Sequence, residues 1–309
     1  MEHMPVLFSE TIEGLAVKPD GIYVDGTLGR GGHALEIAKR LKSGRLIAID
    51  CDEDAIAKSS EVLAEFKDKT TFIHGNFRDL ENILKSEGLA KVDGMLFDLG
   101  VSSPQLDENR RGFSYMHDAK LDMRMNKSER LTAYEIVNSY TEEELRKILF
   151  GYGEERYSKA IVGKIVKRRT ESPIETTYEL NDIILSAIPA SARREKQHPS
   201  KRTFQALRIA VNDELNSLSK LLETAIKYLK HSGRLCIISF HSLEDRLVKK
   251  TFVSNAQGCV CPKNMPICGC NSVPTIKLIT RKPITAGVDE IANNTRARSA
   301  KLRIAEKII

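Results

Sequence analysis

The 309-residue sequence lacks any apolar run that approaches the roughly 20 residues of a membrane-spanning helix. Its first residues, Met1 to Pro5, also lack the charged segment and apolar stretch that mark a secretory signal. No internal repeat is found, which excludes a repeat architecture. From these absences we expect a cytoplasmic protein that does not bind membranes, and its oligomeric state is left open.

A further absence concerns the glycine-rich segment Tyr23–His33, which lacks the Gly-x-Gly-x-x-Gly order of dinucleotide-binding turns. The segment still predicts a buried strand that ends at Asp25 and turns on glycines into a helix, where a ligand can approach the backbone closely. A second apolar run ends at Asp50, close to the spacing at which a second-strand acid reaches a ribose diol. Together they predict a nucleoside-containing cofactor over the first two strands, and an ordinary strand-to-helix turn is the alternative.

Charge of neither sign dominates, because the formal net charge is only +6. The cations are nevertheless clustered, and such clusters suit a nucleic-acid phosphate backbone. Solvated surface is the alternative for any one of them. The three clusters are Lys164, Lys167, Arg168 and Arg169; Arg193, Arg194, Lys196, Lys201 and Arg202; and Arg296, Arg298, Lys301 and Arg303.

Apolar, β-branched runs alternate with amphipathic segments, a pattern typical of a parallel sheet covered by helices on both faces. The predicted strands are Ile22–Asp25, Arg45–Asp50, Thr71–Gly75, Gly94–Leu99 and Arg234–Phe240. The predicted helices between them are Gly31–Leu41, Glu53–Phe66 and Arg78–Glu87. The long delay before the fifth strand indicates an inserted domain, since a structureless loop of that length is implausible.

The insertion reads as helical, because capping boxes begin at Thr141 and Thr176. An apolar stripe at helical spacing then runs from Phe204 to Leu229 and predicts one long helix on which the sheet resumes. We therefore expect residues 1–105 and 204–309 to form the sheet domain and residues 106–203 the inserted helical domain.

The fourth predicted strand runs into the segment Asp98–Gln105, which contains a carboxylate, two hydroxyls, a proline and an amide. Ligands of open α/β sheets bind outside the carboxyl ends of the strands, so this segment faces the same crevice as Asp25 and Asp50. The sequence therefore indicates a functional turn here, with a Ser-Pro connection into the insertion as the alternative.

Four cysteines lie close together near the C-terminus: Cys259, Cys261, Cys268 and Cys270. Disulfides are not expected in a reducing cytosol, and four thiolates suit a structural tetrahedral zinc site. Because the Cys-x-Cys spacing is less usual for zinc than Cys-x-x-Cys, a loop of free thiols remains an equal alternative.

Eight motifs together resemble one family, the MraW family of S-adenosyl-L-methionine-dependent methyltransferases. The motifs are His3–Leu7, Asp25–His33, Phe97–Asp107, Arg110–Ser114, Leu121–Met125, Arg202–Arg208, Ser239–Arg246 and Asn294–Arg303. The resemblance runs nearly end to end. It implies N4-methylation of a decoding-centre cytosine in 16S ribosomal RNA, with that RNA, within the small ribosomal subunit, as the partner.

The resemblance also implies a class I methyltransferase fold, with a Rossmann-like, mostly parallel sheet and an inserted helical substrate-binding domain. In this family's pattern, the residues that would hold the cofactor are Gly31, Gly32 and His33 along the methionine moiety, Asp50 on the ribose hydroxyls, Phe77 on the adenine, and Asp98 and Gln105 completing the pocket, beside Asp25.

For the chemistry, the cytosine amino nitrogen must be held in line with the sulfonium methyl group. The candidate catalytic residues are Ser103, Asp98 and His241. Ser103 lies in a turn that resembles the Ser-Pro-Pro-aromatic loop of N4-cytosine DNA methyltransferases, and His241 is a candidate proton acceptor, although a lone histidine is more often structural. Phe113 and Tyr115 are expected either to stack on an extruded base or to anchor their loop.

Two other functions are compatible with parts of this pattern. One is a nicotinamide-dependent oxidoreductase, which the glycine order disfavours. The other is a non-catalytic RNA-binding ribosome assembly factor on a methyltransferase fold, which the intact Asp50 and the Ser-Ser-Pro-Gln turn disfavour.

Overall fold

The structure is a computed structural model that describes residues 5–101, 109–191, 193, 197–258, 261, 269–270 and 273–309. The chain divides into two compact units. The sheet unit comprises Met1–Gly100 and Leu215–Ile309, and the inserted unit comprises Val101–Glu214. No helix in the described ranges is both long enough and apolar enough to cross a membrane.

Within the described residues, seven strands form one sheet in the order β3-β2-β1-β4-β5-β7-β6. They are β1 (Ile22–Asp25), β2 (Arg45–Asp50), β3 (Thr70–His74), β4 (Val92–Asp98), β5 (Leu229–Ser239), β6 (Ile276–Leu278) and β7 (Lys301–Lys307). All pairs among strands β1 to β5 are parallel, whereas β7 runs antiparallel to both β5 and β6. The predicted α/β fold with a mostly parallel sheet is therefore confirmed.

Both faces of the sheet are buried under helices. The helices of this unit are α1 (Phe8–Leu15), α2 (Gly32–Arg40), α3 (Glu53–Val62), α4 (Leu80–Ser86), α10 (Glu214–Tyr228), α11 (Ser242–Gln257) and α12 (Val288–Asn293), with α5 to α9 lying in the insertion. Along β1, Tyr23 packs into one core cluster and Val24 into the other. This double burial explains why the strands read as continuous apolar runs and not as an alternating pattern.

The sequence pattern did not predict β6 or β7. Strand β7 carries Lys301, Arg303, Glu306 and Lys307, so its composition resembles an exposed segment. In the sheet, β7 lies between β5 and β6 and is almost fully buried. Its Glu306 forms an ion pair with Arg234 at 2.6 Å. Ion pairing with residues distant in sequence is what allows this charged strand to be buried.

The inserted unit is helical, as predicted. Its helices are α5 (Ala133–Ser139), α6 (Glu142–Gly153), α7 (Ser158–Glu171), α8 (Thr177–Ala187) and α9 (Lys201–Asn212). The predicted capping boxes at Thr141 and Thr176 are both formed, with Glu144 and Glu179 as the reciprocal partners. Their apolar faces share one core cluster.

The predicted long helix between Phe204 and Leu229 is instead two helices, α9 and α10. They are separated at Asp213, which is left-handed with φ of 49°. The Asn212 side chain satisfies backbone groups elsewhere, accepting from the Met125 amide at 2.7 Å and donating to the Met123 carbonyl at 2.8 Å. Asn and Asp tolerate such conformations and compete with helical hydrogen bonding.

The break at Asp213 also affects the unit boundary. We expected the sheet domain to resume at residue 204, but Phe204 and Leu207 of α9 pack in the core of the inserted unit, and Leu218 and Leu222 of α10 pack against the sheet. The contacts therefore place the return to the sheet unit at Leu215. One continuous stripe of apolar residues serves two separate cores.

Candidate active site

The carboxyl ends of three neighbouring strands carry acids on one face of the sheet. Asp25 ends β1, Asp50 ends β2 and Asp98 ends β4. Asp25 is in register with Ala48 and Leu96, each two residues before the acid of its own strand. Because side chains alternate along a strand, all three carboxylates point to the same side of the sheet.

The loop after β1 is held to the neighbouring strands by hydrogen bonds. The Gly26 amide donates to the Leu96 carbonyl at 2.9 Å, and the Gly29 amide donates to Oδ2 of Asp50 at 2.8 Å. The hydroxyl of Ser59, which is buried, donates to the Gly29 carbonyl at 2.8 Å. The backbone of this loop is therefore fixed on both sides before any ligand binds.

Two glycines begin helix α2, one required by its backbone conformation and the other by the side chain of Pro5. Gly31 has a φ of +76°, a conformation that other residues rarely adopt. A Cβ atom on Gly32 would lie 2.4 Å from Cγ of Pro5. The structure thus gives a packing reason for both glycines, and their contact with a cofactor stays a prediction.

Thr27 links the loop to the fourth strand. Its Oγ1 accepts a hydrogen bond from the Asp98 amide, and its own amide donates to Oδ1 of Asp25 at 3.1 Å. The hydroxyl therefore satisfies a backbone donor at the point where β4 ends, and it fixes the spacing between two of the acids. Thr27 lies within the motif Asp25–His33, and its contact with Asp98 is formed only when β1 and β4 pair in the sheet.

We expect Thr27→Val to destabilise the protein by about 1–3 kcal/mol, because the Asp98 amide loses its acceptor inside the protein. Thr27→Ser keeps the hydroxyl and is the matched control, with a much smaller expected loss. The free energy of unfolding from urea titrations checks both variants. Equal stability of the valine and serine variants would contradict the role of this hydroxyl.

The electrostatics of the three acids are unusual. Burial, opposed by the hydrogen bond from Thr27, raises the pKa of Asp25 to about 7. Burial, together with the charges of Asp25 and Glu244, raises the pKa of Asp98 to about 8. Burial also raises the pKa of Asp50, against the lowering effect of its backbone hydrogen bonds. No lysine or arginine among the described residues forms an ion pair with any of the three acids.

His33 lies in the first turn of α2 and is buried. Its ring stacks on Phe8, with the ring centroids 5.7 Å apart. Burial lowers its pKa to about 4, so the ring is neutral at pH 7. Its Nε2 atom is buried without a hydrogen-bond partner in the described part of the chain. A contact with the methionine moiety stays a prediction for His33.

Phe77 follows β3 in a short 3₁₀ helix, Phe77–Asp79, that is capped by the side chain of Asn76. The ring is partly buried and meets Phe97 edge-on, with the centroids 6.1 Å apart. Packing of one edge on β4 fixes the orientation of the ring while part of it stays accessible. This arrangement suits the predicted role in packing against an adenine.

His241 is the N-cap of α11 and part of a capping box with Glu244. Its Nδ1 atom accepts from the Glu244 amide at 3.4 Å, and its Nε2 atom lies 3.2 Å from Oε1 of Glu244 without hydrogen-bond geometry. An accepting Nδ1 leaves the proton of the neutral ring on Nε2. This arrangement favours a structural role, and proton acceptance by His241 stays a prediction.

Several predicted residues lie outside the described part of the chain. These are Ser103 and Gln105 of the turn after β4, and Cys259 and Cys268 of the cysteine cluster. Of the same cluster, Cys261 and Cys270 are described and partly buried. The proposed zinc site therefore stays a prediction.

In the inserted unit, both candidate stacking residues contact the protein itself. Phe113 belongs to the core, under the guanidinium of Arg111 at 5.8 Å from its ring centroid. Tyr115 stacks on His198 with centroids 4.3 Å apart, and meets Phe204 edge-on. These contacts favour the anchoring alternative over stacking on a base.

Some of the clustered cations are engaged inside the fold. Arg169 donates to the carbonyls of Val137 and Tyr140. Arg303, which is buried, donates to Asp245 at 2.6 Å, and Lys301 pairs with the same carboxylate. These cations therefore stabilise the protein itself, and fewer cations of their clusters remain to bind a phosphate backbone.

Glu244 is a further residue whose position the sequence analysis did not predict. It is almost fully buried, and Oε2 accepts from the amides of Phe240 and His241. Glu244 belongs to the family motif Ser239–Arg246, but the motif alone does not indicate that its side chain is buried. The charge of Glu244 reaches Asp98 because β4 and β5 are adjacent in the sheet.

The strand order, the antiparallel seventh strand and the acids at the ends of β1, β2 and β4 define a class I methyltransferase fold. A sequence profile identifies the family within that class, since it matches residues 1–308. The chain belongs to the MraW methylase family.

Curated relatives agree with this assignment. The chain is 54% identical over 307 residues to the ribosomal RNA small subunit methyltransferase H of Exiguobacterium sibiricum, covering 99% of this chain and 98% of the relative. It is 52% identical over 307 residues to the protein of that name from Brevibacillus brevis, with the same coverage. Among solved structures, an rRNA methylase from Streptococcus thermophilus has a TM-score of 0.44 and 12% identity, covering 100% of this chain and 99% of that one. The fold assignment rests on the strand order and not on this likeness.

Proposed function

We propose that this protein transfers a methyl group from S-adenosylmethionine to N4 of a decoding-centre cytosine in 16S ribosomal RNA. The observation that carries the proposal is the family match over residues 1–308, which includes both units and all the motifs of the sequence analysis. The relatives' name, ribosomal RNA small subunit methyltransferase H, supports the RNA substrate. The cytosine and its N4 position rest on the resemblance of the turn after β4.

The residues at the strand ends fit the methyl donor. The carboxylate of Asp50 accepts backbone amides, with Gly29 donating to Oδ2 at 2.8 Å and Asp52 donating to Oδ1 at 2.9 Å. A carboxylate oxygen accepts more than one hydrogen bond, so Asp50 retains capacity for two ribose hydroxyls. Asp98 contributes a buried Oδ1 atom without a partner among the described residues.

The donor is a cation, and the site suits a cation. When bound, it supplies an electrophilic methyl group on positively charged sulfur. Asp25, Asp50 and Asp98 surround the strand ends with carboxylates that no lysine or arginine of the described chain neutralises. The acids would hold the polar groups of the donor, and Phe77 would pack on its adenine.

The protein must also position the cytosine amino nitrogen that accepts the methyl group. A cytosine amino group is conjugated with its ring, so it is a weak nucleophile that must be positioned close to the methyl group. Hydrogen-bond acceptors on its two protons favour the tetrahedral form that attacks. We assign this role to Ser103 and the carbonyls of its turn, and the base is held outside any stack while the reaction occurs.

Ser103→Ala is expected to slow methyl transfer at least tenfold in a single turnover while leaving the affinity for S-adenosylmethionine nearly unchanged. The reason is that the hydroxyl contacts the acceptor and not the donor. Rapid-quench measurement of labelled methyl transfer, together with calorimetric titration of the donor, checks both halves. An unchanged single-turnover rate would remove Ser103 from the mechanism.

The function itself is tested by incubating the protein with tritiated donor and either deproteinised 16S RNA or small subunits from a strain that lacks it. Mass spectrometry of the modified nucleosides then locates the methyl group. We expect N4-methylcytidine at a decoding-centre position. Binding of RNA without any methyl transfer would instead support the non-catalytic assembly factor.

A further inference from the structure

We propose that Asp98 carries a proton in the ligand-free protein, kept there by the carboxylates of Asp25 and Glu244, and that it releases this proton when the cationic methyl donor binds. The inference deepens the proposed function and rests on it. It concerns how the site distinguishes a cationic donor from the uncharged sulfur of the product.

The surroundings of Asp98 favour its neutral form. Thr27 links Asp98 to Asp25 of β1, and Glu244 of α11 follows the neighbouring strand β5. The charges of both carboxylates act on Asp98. Behind these two, Asp50 faces Asp25, and His241 is hydrogen-bonded to Glu244. Asp98 and these three carboxyl groups would place four negative charges in one region if all were ionised, and burial increases the cost.

Two cations of strand β7 are paired with another carboxylate and not with Asp98. Lys301 and Arg303 of β7 both bind Asp245, at 3.0 and 2.6 Å. Asp245 is the neighbour of Glu244 in the chain, and its ionised carboxylate holds these cations on its own side. Lys301 and Arg303 therefore neutralise Asp245 and form no ion pair with Asp98.

The hydrogen bonds around Asp98 also favour the protonated form. Its backbone amide is bound to Thr27, but its Oδ1 atom is buried and has no partner within the described residues. An ionised carboxylate in that position would lack the donors that usually stabilise it. The raised pKa of Asp98, about 8, agrees with this geometry.

Binding of a cation reverses this preference. A sulfonium beside the acids favours the ionised carboxylate, so the proton leaves to solvent as the donor enters. After methyl transfer the sulfur is uncharged, and the site again prefers a proton. The product, S-adenosylhomocysteine, is therefore expected to release fewer protons on binding than the donor.

Calorimetry in two buffers of different ionisation enthalpy at pH 7 measures the proton release directly. We expect about one proton released per donor bound, and measurably fewer for S-adenosylhomocysteine. Asp98→Asn should remove most of the release. Asp93→Asn is the matched control, because Asp93 lies near the opposite end of β4, its pair with Lys230 lowers its pKa, and its loss should leave the release unchanged.

Glu244→Gln tests whether the charge of Glu244 helps to keep the proton on Asp98. The amide keeps an oxygen that accepts from the Phe240 amide, but it removes the charge that acts on Asp98. The pH midpoint of proton release should therefore move to lower pH, a shift that a purely structural role of Glu244 would not produce. An unmoved midpoint would exclude Glu244 from holding the proton.

The outcomes separate this inference from the proposed function. If the enthalpy of donor binding is the same in both buffers, no proton is released. That result would overturn the inference but would not contradict the proposed function. Release that persists in Asp98→Asn would likewise overturn it. Failure of the folded protein to bind S-adenosylmethionine at all would overturn both.

Discussion

Alanine at Asp50 is expected to weaken the binding of S-adenosylmethionine at least tenfold, which corresponds to about 1.4 kcal/mol. Two losses add up in this variant. The carboxylate proposed to hold the ribose hydroxyls is removed, and so is the acceptor that fixes the Gly29 amide at 2.8 Å. The loop after β1 is then held less firmly when the donor arrives.

Two controls separate these losses. Asp50→Asn keeps one accepting oxygen and should bind with intermediate affinity. Asp52→Ala removes the cap of α3, whose side chain accepts from the Asp54 amide, and should cost about 1 kcal/mol of stability without a comparable loss of affinity. Isothermal titration measures the affinities and thermal unfolding confirms that each variant is folded. Affinity of Asp50→Ala within twofold of the unchanged protein would exclude Asp50 as a donor ligand.

The second large effect is expected on the pH dependence of stability. In the folded protein the pKa of Asp98 is about 8, well above the value of 3.8 for an unperturbed aspartate. Between these values the native state holds a proton that the unfolded chain has released. Stability therefore falls as pH rises through this interval, and Asp25, with a pKa of about 7, acts in the same direction.

Asp98→Asn should remove this penalty and raise the free energy of unfolding at pH 8 by roughly 1–3 kcal/mol. The gain should shrink as pH is lowered, because the protonated aspartate is itself neutral. His33 has the opposite effect below pH 6.5, since its folded pKa is lowered to about 4. The comparison is therefore made between pH 7.5 and 9, where His33 is almost entirely neutral in both states.

Urea titrations of the ligand-free protein and the variant across this range check the prediction. The control is Asp245→Asn, which should destabilise the protein, because ion pairs with Arg303 and Lys301 lower the pKa of Asp245. An Asp98→Asn variant that is no more stable than the unchanged protein at pH 8 would contradict the raised pKa. Activity is expected to be lost even where stability is gained, as is common when charge is removed from a functional site.

Much of the sheet and of the acid-bearing strand ends was predictable from local sequence. Strand β1 and strand β2 begin and end where the apolar runs do, and each acid is the last residue of its strand. The capping boxes of α6 and α8 were likewise predictable, because a capping box is formed within four consecutive residues. Such features depend on neighbours in the chain and on simple periodicity.

Features that depend on distant partners were not predictable in this way. The stripe from Phe204 to Leu229 has an unbroken helical period, yet the chain turns at Asp213 because Asn212 binds the backbone near Met123. Strand β7 looks too charged for a sheet interior, yet Glu306 and Arg303 find counter-charges on other elements. Local propensity is overridden where a tertiary contact satisfies the groups concerned.

The family motifs, the α/β class and the acids at the strand ends can be read from local sequence, since strand period and strand ends depend on neighbouring residues. The common face of the three acids and their charge states depend on strand pairing and on burial. Glu244 approaches Asp98 because β4 and β5 are adjacent, and Thr27 reaches the Asp98 amide across the first loop. A carboxyl group's charge state depends on burial and on the charges that face it, and these come from segments that are brought together only by folding.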